Sequence, residues 1–369
     1  MLLFTPGPTP VLETVRTEMA GVTIHHRTPE FEAIFKETRR RLIKLFNMDE
    51  CIILASSGTG AMEACVANLS IKKVLTINAG KFGERFGKIV QAFGLEHIEL
   101  KYSWDTPATV DDVKNVLINN PDIDTFCIQI CESAGGLRHP VEEIAKCVKE
   151  IDPKIMVIAD GITAVGVEPI DTTDIDALIA GSQKAFMLPP AMAMIGLSDA
   201  AIKRIGSGSG YYFNLASEIK KQRQNTTAYT APTTLIIGLN KMLELIEKEG
   251  YDKFYQDTKA RALATRAALE AIGCKLYPKT PALSMSAVYD EDADAIRSIL
   301  KTEFGVNIAG GQDHLKGKLF RINQMGLIPV YESAWVVNAI EWAYELLSRR
   351  SYDGLASKVF NEVYFKNEK

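Results

Sequence analysis

An α/β fold is expected for this chain: a large domain built on a mostly parallel, doubly wound sheet of seven strands, joined to a smaller α+β C-terminal domain. Three observations predict it. Beyond residue 51, short β-rich runs alternate with stretches of helical periodicity, as repeated β-α-β units do. Runs such as Met156-Val157-Ile158-Ala159 and Leu178-Ile179-Ala180 are apolar throughout rather than alternating, which fits strands covered on both faces. The length, 369 residues, exceeds what one hydrophobic core usually organises, so two unequal domains follow.

Taken in order, Leu2-Leu3-Phe4-Thr5-Pro6-Gly7-Pro8-Thr9-Pro10 carries three prolines and cannot be helical; it reads as an extended arm. Helical periodicity covers 10–20 and 29–46. Arg39-Arg40-Arg41 and Lys44 sit near the end of the second helix, where cations suit the dipole, and the triplet reads as a solvated face. Strands are expected at 52–55, 74–78, 97–100, 125–130, 156–159, 177–181 and 192–196, with helices at 61–69, 83–93, 110–119 and 140–151 between them. Gly206-Ser207-Gly208-Ser209-Gly210 outlines a nucleotide loop but follows no strand, so it reads as a surface turn. Long helices at 233–248 and 251–272 lead into strand 283–288, helix 291–304, strands 306–309 and 319–322, and helices at 331–349 and from 353 onward. The division expected is an arm, 1–20, a large domain, 21–255, and a small domain, 256–369.

A hydrophobic content of 47% with 24% charged residues is that of an ordinary globular protein, and a net charge of -4 gives no reason to expect a nucleic acid or membrane partner. The six scattered cysteines fit buried free thiols in a reducing compartment. Pro29 breaks the turn that would join His25-His26 to Glu30, and no cysteine or histidine spacing completes a zinc site, so no metal is expected. With no basic leader at Met1 and no span-length apolar run, the cytoplasm is the expected location.

The residues that carry chemistry cluster at strand ends. Lys184 follows the run ending at Gly181, and Asp160 ends the neighbouring run; ligands of such sheets sit beyond the carboxyl ends of the strands. A lysine at the mouth of a buried strand needs a charge partner or a covalent one, unless it bends back to solvent. An amine and a carboxylate on one rim suit pyridoxal 5′-phosphate, the lysine as its Schiff-base partner and the aspartate on its ring nitrogen. Ser57-Gly58-Thr59-Gly60-Ala61 opens a helix after the first strand of the sheet and makes a cup for a phosphate, although serine and glycine are also ordinary helix caps. Phe82, between glycines, offers a flat face to a ring or is a core residue. Ser133 offers a hydroxyl to a cofactor substituent, while its neighbour Glu132 fits a buried structural acid. Arg321 lies between large apolar residues, where a guanidinium needs an anion: a substrate carboxylate or a structural partner.

In this order the pieces resemble the class V aminotransferases of PLP fold type I, and most closely their alanine/serine:glyoxylate (serine-pyruvate) and archaeal aspartate aminotransferase branch. The blocks are Thr5-Pro6-Gly7-Pro8, His26-Arg27-Thr28-Pro29-Glu30-Phe31, Ser57-Gly58-Thr59-Gly60-Ala61-Met62-Glu63, Glu132-Ser133, Gly181-Ser182-Gln183-Lys184 with Pro189-Pro190, and Phe320-Arg321-Ile322, which together cover nearly the whole chain. The resemblance implies catalysis by Lys184 and Asp160, and a phosphate held by Thr59, Gly60 and Gln183. It implies Ser133 beside the cofactor ring, with Arg321 and Gly7 toward the substrate. It also implies a homodimer in which Thr230, with Thr227 nearby, reaches the partner subunit's cofactor. Phe82 stands where some members stack a tryptophan, and Thr227 where some place a tyrosine. The activity implied is ping-pong transfer of an amino group from alanine, serine or aspartate to glyoxylate or pyruvate. A 2-aminoethylphosphonate-type transaminase or another class V enzyme is the near alternative, and a non-catalytic partner subunit is the alternative of a different class.

Overall fold

The computed structural model describes residues 1–367. Its strands are β1 (Leu2–Phe4), β2 (Glu50–Leu54), β3 (Lys73–Asn78), β4 (Glu96–Lys101), β5 (Thr125–Gln129), the two-residue β6 (Cys131–Glu132) and β7 (Leu137–Arg138), β8 (Met156–Asp160), β9 (Ala177–Gly181) and β10 (Ala193–Leu197), then β11 (Lys275–Leu276), β12 (Met285–Tyr289), β13 (Val306–Gly310) and β14 (Leu319–Asn323). The helices are α1 (Glu13–Met19), α2 (Pro29–Phe46), α3 (Gly58–Leu69), α4 (Lys81–Ala92), α5 (Val110–Asn119), α6 (Val141–Ile151), α7 (Asp199–Ile205), α8 (Leu215–Gln222), α9 (Thr233–Glu249), α10 (Tyr251–Ala271), α11 (Ala293–Thr302), α12 (Val330–Leu346) and α13 (Leu355–Asn367).

The seven expected strands form one sheet in the order β2-β10-β9-β8-β5-β3-β4. All its pairings are parallel except those of β10, which runs against both β2 and β9. The connection from β9 to β10 is too short for a crossover helix, so the chain must turn back and pair antiparallel. Every residue of β2, β5, β8, β9 and β10 is buried. Hydrophobic clusters lie on both faces of the sheet, one around Phe35, Phe126, Val157 and Leu178, the other around Ile52, Met62, Cys127 and Ile179. Alternate residues of each strand feed alternate clusters, which is why the sequence runs read as apolar throughout.

The second sheet has the order β1-β13-β14-β12-β11. It gives the head of the extended arm a partner: Leu2–Phe4 is an edge strand, parallel to Val306–Ile308 of β13. Three residues are too few for a periodic signal. Helix α10 runs unbroken past residue 255, with Phe254 in the core of the large sheet and Ala260, Ala264 and Leu269 in that of the small one. Among the described residues no helix is long and apolar enough to cross a membrane. All six cysteines are free and buried.

The arginine triplet of α2 is not a solvated face. Arg39 is buried against Glu50, whose second oxygen accepts from Arg223 at 2.9 Å, and Arg41 reaches Glu247 and Asn240. Only Arg40 of the three is exposed.

Strand β2 forms one edge of the large sheet, and its outward backbone groups at Ile53 are buried. The fully buried amide of Gln222, at the end of α8, closes them: Ile53 N donates to Gln222 Oε1 at 2.9 Å, and Gln222 Nε2 donates to Ile53 O at 2.7 Å. One side chain stands in for a neighbouring strand. Gln222→Leu keeps the volume and strands both groups, so it should lower unfolding stability by about 2–4 kcal/mol. The midpoint of urea denaturation measures this.

Candidate active site

Because β2, β3, β5, β8 and β9 share one direction, the segments that follow them emerge on one edge of the sheet. Those segments supply a single cleft of about 560 Å3, counting solvent at its mouth. Its walls carry Ser57, Gly58 and Thr59 after β2, Phe82 and Arg85 after β3, Cys131 and Ser133 after β5, Asp160 at the end of β8, and Gln183 and Lys184 after β9. Eight of these were expected from the sequence; Arg85 and Cys131 were not.

The Lys184 loop is set by Ser182, which is fully buried. Its amide donates to Met192 O at 2.9 Å, its hydroxyl to Pro189 O at 2.7 Å, and its carbonyl accepts from Leu188 N at 3.0 Å. The N-terminal segment crosses this loop: Thr9 donates to Gln183 O at 3.0 Å through its amide and to Lys184 O at 2.7 Å through its hydroxyl, while Lys184 Nζ donates to Pro6 O at 2.5 Å. Gly7 lies at φ +115, and a Cβ there would stand 2.5 Å from Lys184 Nζ, so only glycine fits.

Burial lowers the Lys184 ammonium to about 8, against the opposing pull of the Asp160 charge. Asp160 is 4% exposed and accepts from Ile162 N at 2.9 Å. Burial raises its carboxyl to about 6, while Lys184 and Arg85 work the other way. Both groups are thus held at the edge of ionisation near neutral pH, a state that buried ionisable groups reach at functional sites more often than elsewhere.

Helix α3 begins at Gly58, three residues earlier than its periodicity indicates, because Gly58, Thr59 and Gly60 contribute no apolar face. The first-turn amides of α3 have no intrahelical acceptor, and Ser57 does not cap them with its side chain. Ala61 does not line the cleft; its amide donates to Ser57 O at 3.2 Å and its methyl lies in the core. Gly60 does not line the cleft; it packs against Ser56 and Phe213. Among the described residues Gln183 Oε1, buried at the cleft, has no hydrogen-bond partner.

Arg321, 8% exposed on β14, stands just behind this wall. Its Nη1 donates to Ser133 O at 2.6 Å, and its Nε and Nη2 both donate to Gly310 O. Among the described residues no carboxylate forms an ion pair with it, and three of about five guanidinium N–H bonds are used. Burial brings it down to about 10.

Glu132, left open by the sequence as a structural acid, is one. It is fully buried and accepts from Phe82 N at 3.0 Å, Gly83 N at 2.9 Å and Ala134 N at 3.0 Å. It therefore caps the start of α4 and fixes where Phe82 and Arg85 enter the cleft. Burial lifts its carboxyl to about 7. Thr227 and Thr230 do not reach this cleft; they line a separate hollow with Tyr212, Glu218 and Tyr229.

A family model described as aminotransferase class-V matches residues 5–325. The chain belongs to the class-V aminotransferases. An uncharacterized aminotransferase of Helicobacter pylori (strain ATCC 700392 / 26695) is 52% identical over 367 residues, which is 99% of this chain and 100% of that protein. The serine–glyoxylate aminotransferase of Methylorubrum extorquens is 28% identical, covering 88% of this chain and 86% of its own length. Among solved structures, an aspartate aminotransferase of Thermus thermophilus is similar with a TM-score of 0.88 and 29% identity, over 94% of this chain and 99% of that one. This aminotransferase takes pyridoxal 5′-phosphate as its cofactor, and the cleft fits that group: an amine and a carboxylate on one wall, and open helix amides at the start of α3.

A neutral amine is required to bond the cofactor, so covalent uptake should follow deprotonation of Lys184. The rate at which the apoprotein gains a visible band on adding pyridoxal phosphate should rise with pH and level off above about 8. A rate still climbing in proportion to hydroxide at pH 10 would show an ordinary surface lysine.

Proposed function

We propose that this aminotransferase moves an amino group from alanine, serine or aspartate to glyoxylate or pyruvate by a ping-pong mechanism, working in the cytoplasm as a homodimer. The observation that carries the catalytic assignment is the delivery of Asp160 and Lys184 to one cleft by the adjacent strands β8 and β9. In this reading 21–255 holds the cofactor and 256–369 carries Arg321 to it.

Bound pyridoxal phosphate supplies an electron sink for the pair left when the substrate Cα loses its proton. The protein's residues do the rest. Lys184 Nζ would hold the cofactor covalently and, as a free amine, would take the substrate Cα proton and return one. Asp160 keeps the proton on the ring nitrogen, and the low polarity that raises its own affinity for protons strengthens this hydrogen bond. Phe82 covers a ring face, and Ser133 lies beside the ring. The amides of Gly58, Thr59 and Gly60, with Ser57 and Gln183, hold the phosphate; Gly60 acts through its backbone alone.

Arg321 binds the substrate carboxylate with the N–H bonds it does not spend on Ser133 and Gly310. Its restraint by two carbonyls from different segments supports this: the fork is oriented before substrate arrives. Gly7 leaves the space above Lys184 Nζ clear for the donor. Thr230, exposed, and Thr227 belong to a hollow outside their own chain's cleft, which supports their reaching the partner's phosphate rather than their own. Retention of Lys184, Asp160 and Arg321 together favours an enzyme over a subunit kept only for binding.

Single-turnover reaction of the holoenzyme with each amino acid, followed by loss of the visible cofactor band, should convert with alanine, serine or aspartate. Conversion by 2-aminoethylphosphonate alone would select the near alternative. Arg321→Lys should raise KM for the accepted donor at least about tenfold, because a point charge replaces a planar fork; an unchanged KM would put the carboxylate elsewhere.

A further inference from the structure

Arg85 projects from the first turns of α4 into the cleft, half-buried, beside Ser57, Gly58, Thr59, Asp160 and Lys184. None of the ion pairs among the described residues includes it, so a guanidinium faces the cleft without an acid of its own. Two contacts fix it. Its Nη1 donates to Thr59 Oγ1 at 2.8 Å, and its guanidinium lies over the Phe82 ring, 4.7 Å from the ring centre. Its charge is felt at both Asp160 and Lys184, which sets it well inside the site.

A guanidinium only donates. The Thr59 hydroxyl must therefore accept from Arg85 and direct its own proton to another acceptor. Thr59 is the second residue of α3, where the backbone N–H bonds also lack acceptors. An oriented hydroxyl, open amides and a cation with spare N–H bonds thus share one wall, a donor set suited to a doubly charged phosphate. The same side chain stacks on the aromatic ring assigned to the cofactor's face.

We propose that Arg85 is a phosphate-pairing and positioning residue: it neutralises the cofactor's phosphate at the start of α3, turns the Thr59 hydroxyl toward it, and braces Phe82 against the ring. This rests on the reading of the cleft as a pyridoxal phosphate site.

The test compares pyridoxal phosphate with pyridoxal, which lacks the phosphate, by titrating each into wild-type apoprotein and into Arg85→Met. The variant should bind pyridoxal phosphate about tenfold or more weakly, the loss expected of a charge-assisted hydrogen bond, and pyridoxal within about threefold of wild type. Thr59→Val should cost affinity for pyridoxal phosphate in wild type and clearly less in Arg85→Met, since the two act through one bond. Arg85→Lys should recover part of the loss, and inorganic phosphate should raise the melting temperature of wild-type apoprotein more than that of Arg85→Met. Unchanged affinity for pyridoxal phosphate, or an equal loss for both ligands, would overturn the proposal. So would a variant whose only defect is a raised KM for a dicarboxylic donor, which would make Arg85 a substrate residue. If Arg85→Met does not fold, Arg85→Lys decides by the same ratio. Wild-type protein that takes up neither ligand would instead overturn the reading of the cleft itself.

Discussion

Asp160 and Lys184 are opposite charges brought to adjacent strand ends by a backbone that gives them little water. Each would rather be neutral: burial pushes the carboxyl up to about 6 and the ammonium down to about 8. Their mutual attraction works against this without cancelling it. An ordinary surface pair loses nothing by staying charged, and a well-packed core would exclude both. The cleft therefore carries an electrostatic strain that a ligand able to bond the amine and share a proton with the carboxylate relieves. The direction of the parallel strands determines which residues share this environment, and the other cleft residues follow from it.

The structure around the pair restricts its movement. Ser182 folds the lysine loop onto itself, Thr9 and Pro6 cross it, and β1, at the head of the same segment, is built into the small sheet. Arg321 completes the link from the opposite side through Ser133 O. The N-terminal segment and Arg321 thus both tie the small sheet to the wall of the cleft. Glu132 performs the same service for α4, holding two of its first amides so that Phe82 and Arg85 project into the cleft.

The large sheet was legible because strands buried on both faces need uninterrupted apolar runs, as β8 and β9 have, while the edge strand β4 shows only alternating apolar residues. Lys184, Asp160 and Ser57 through Thr59 were legible for a related reason: polar residues placed where such a run stops have few structural uses. What stayed hidden depends on contacts distant in sequence. Nothing around Leu2–Phe4 indicates that its partner is some 300 residues on. Arg39 looks like its neighbours Arg40 and Arg41 until Glu50 is folded beneath it. Gln222 resembles any polar helix residue, and Arg85 any surface arginine, until Ile53 and Thr59 are brought against them. The start of α3 lies three residues before Ala61 because helical periodicity marks where apolar residues begin, not where the backbone first turns.

The claim on which the account depends is that one particular amine, and no other, bonds the cofactor. Borohydride reduction of the protein loaded with pyridoxal phosphate, followed by peptide mass mapping, measures it directly. The account predicts stoichiometric label on Lys184 alone; label spread over surface lysines, or a protein that takes none, would contradict it.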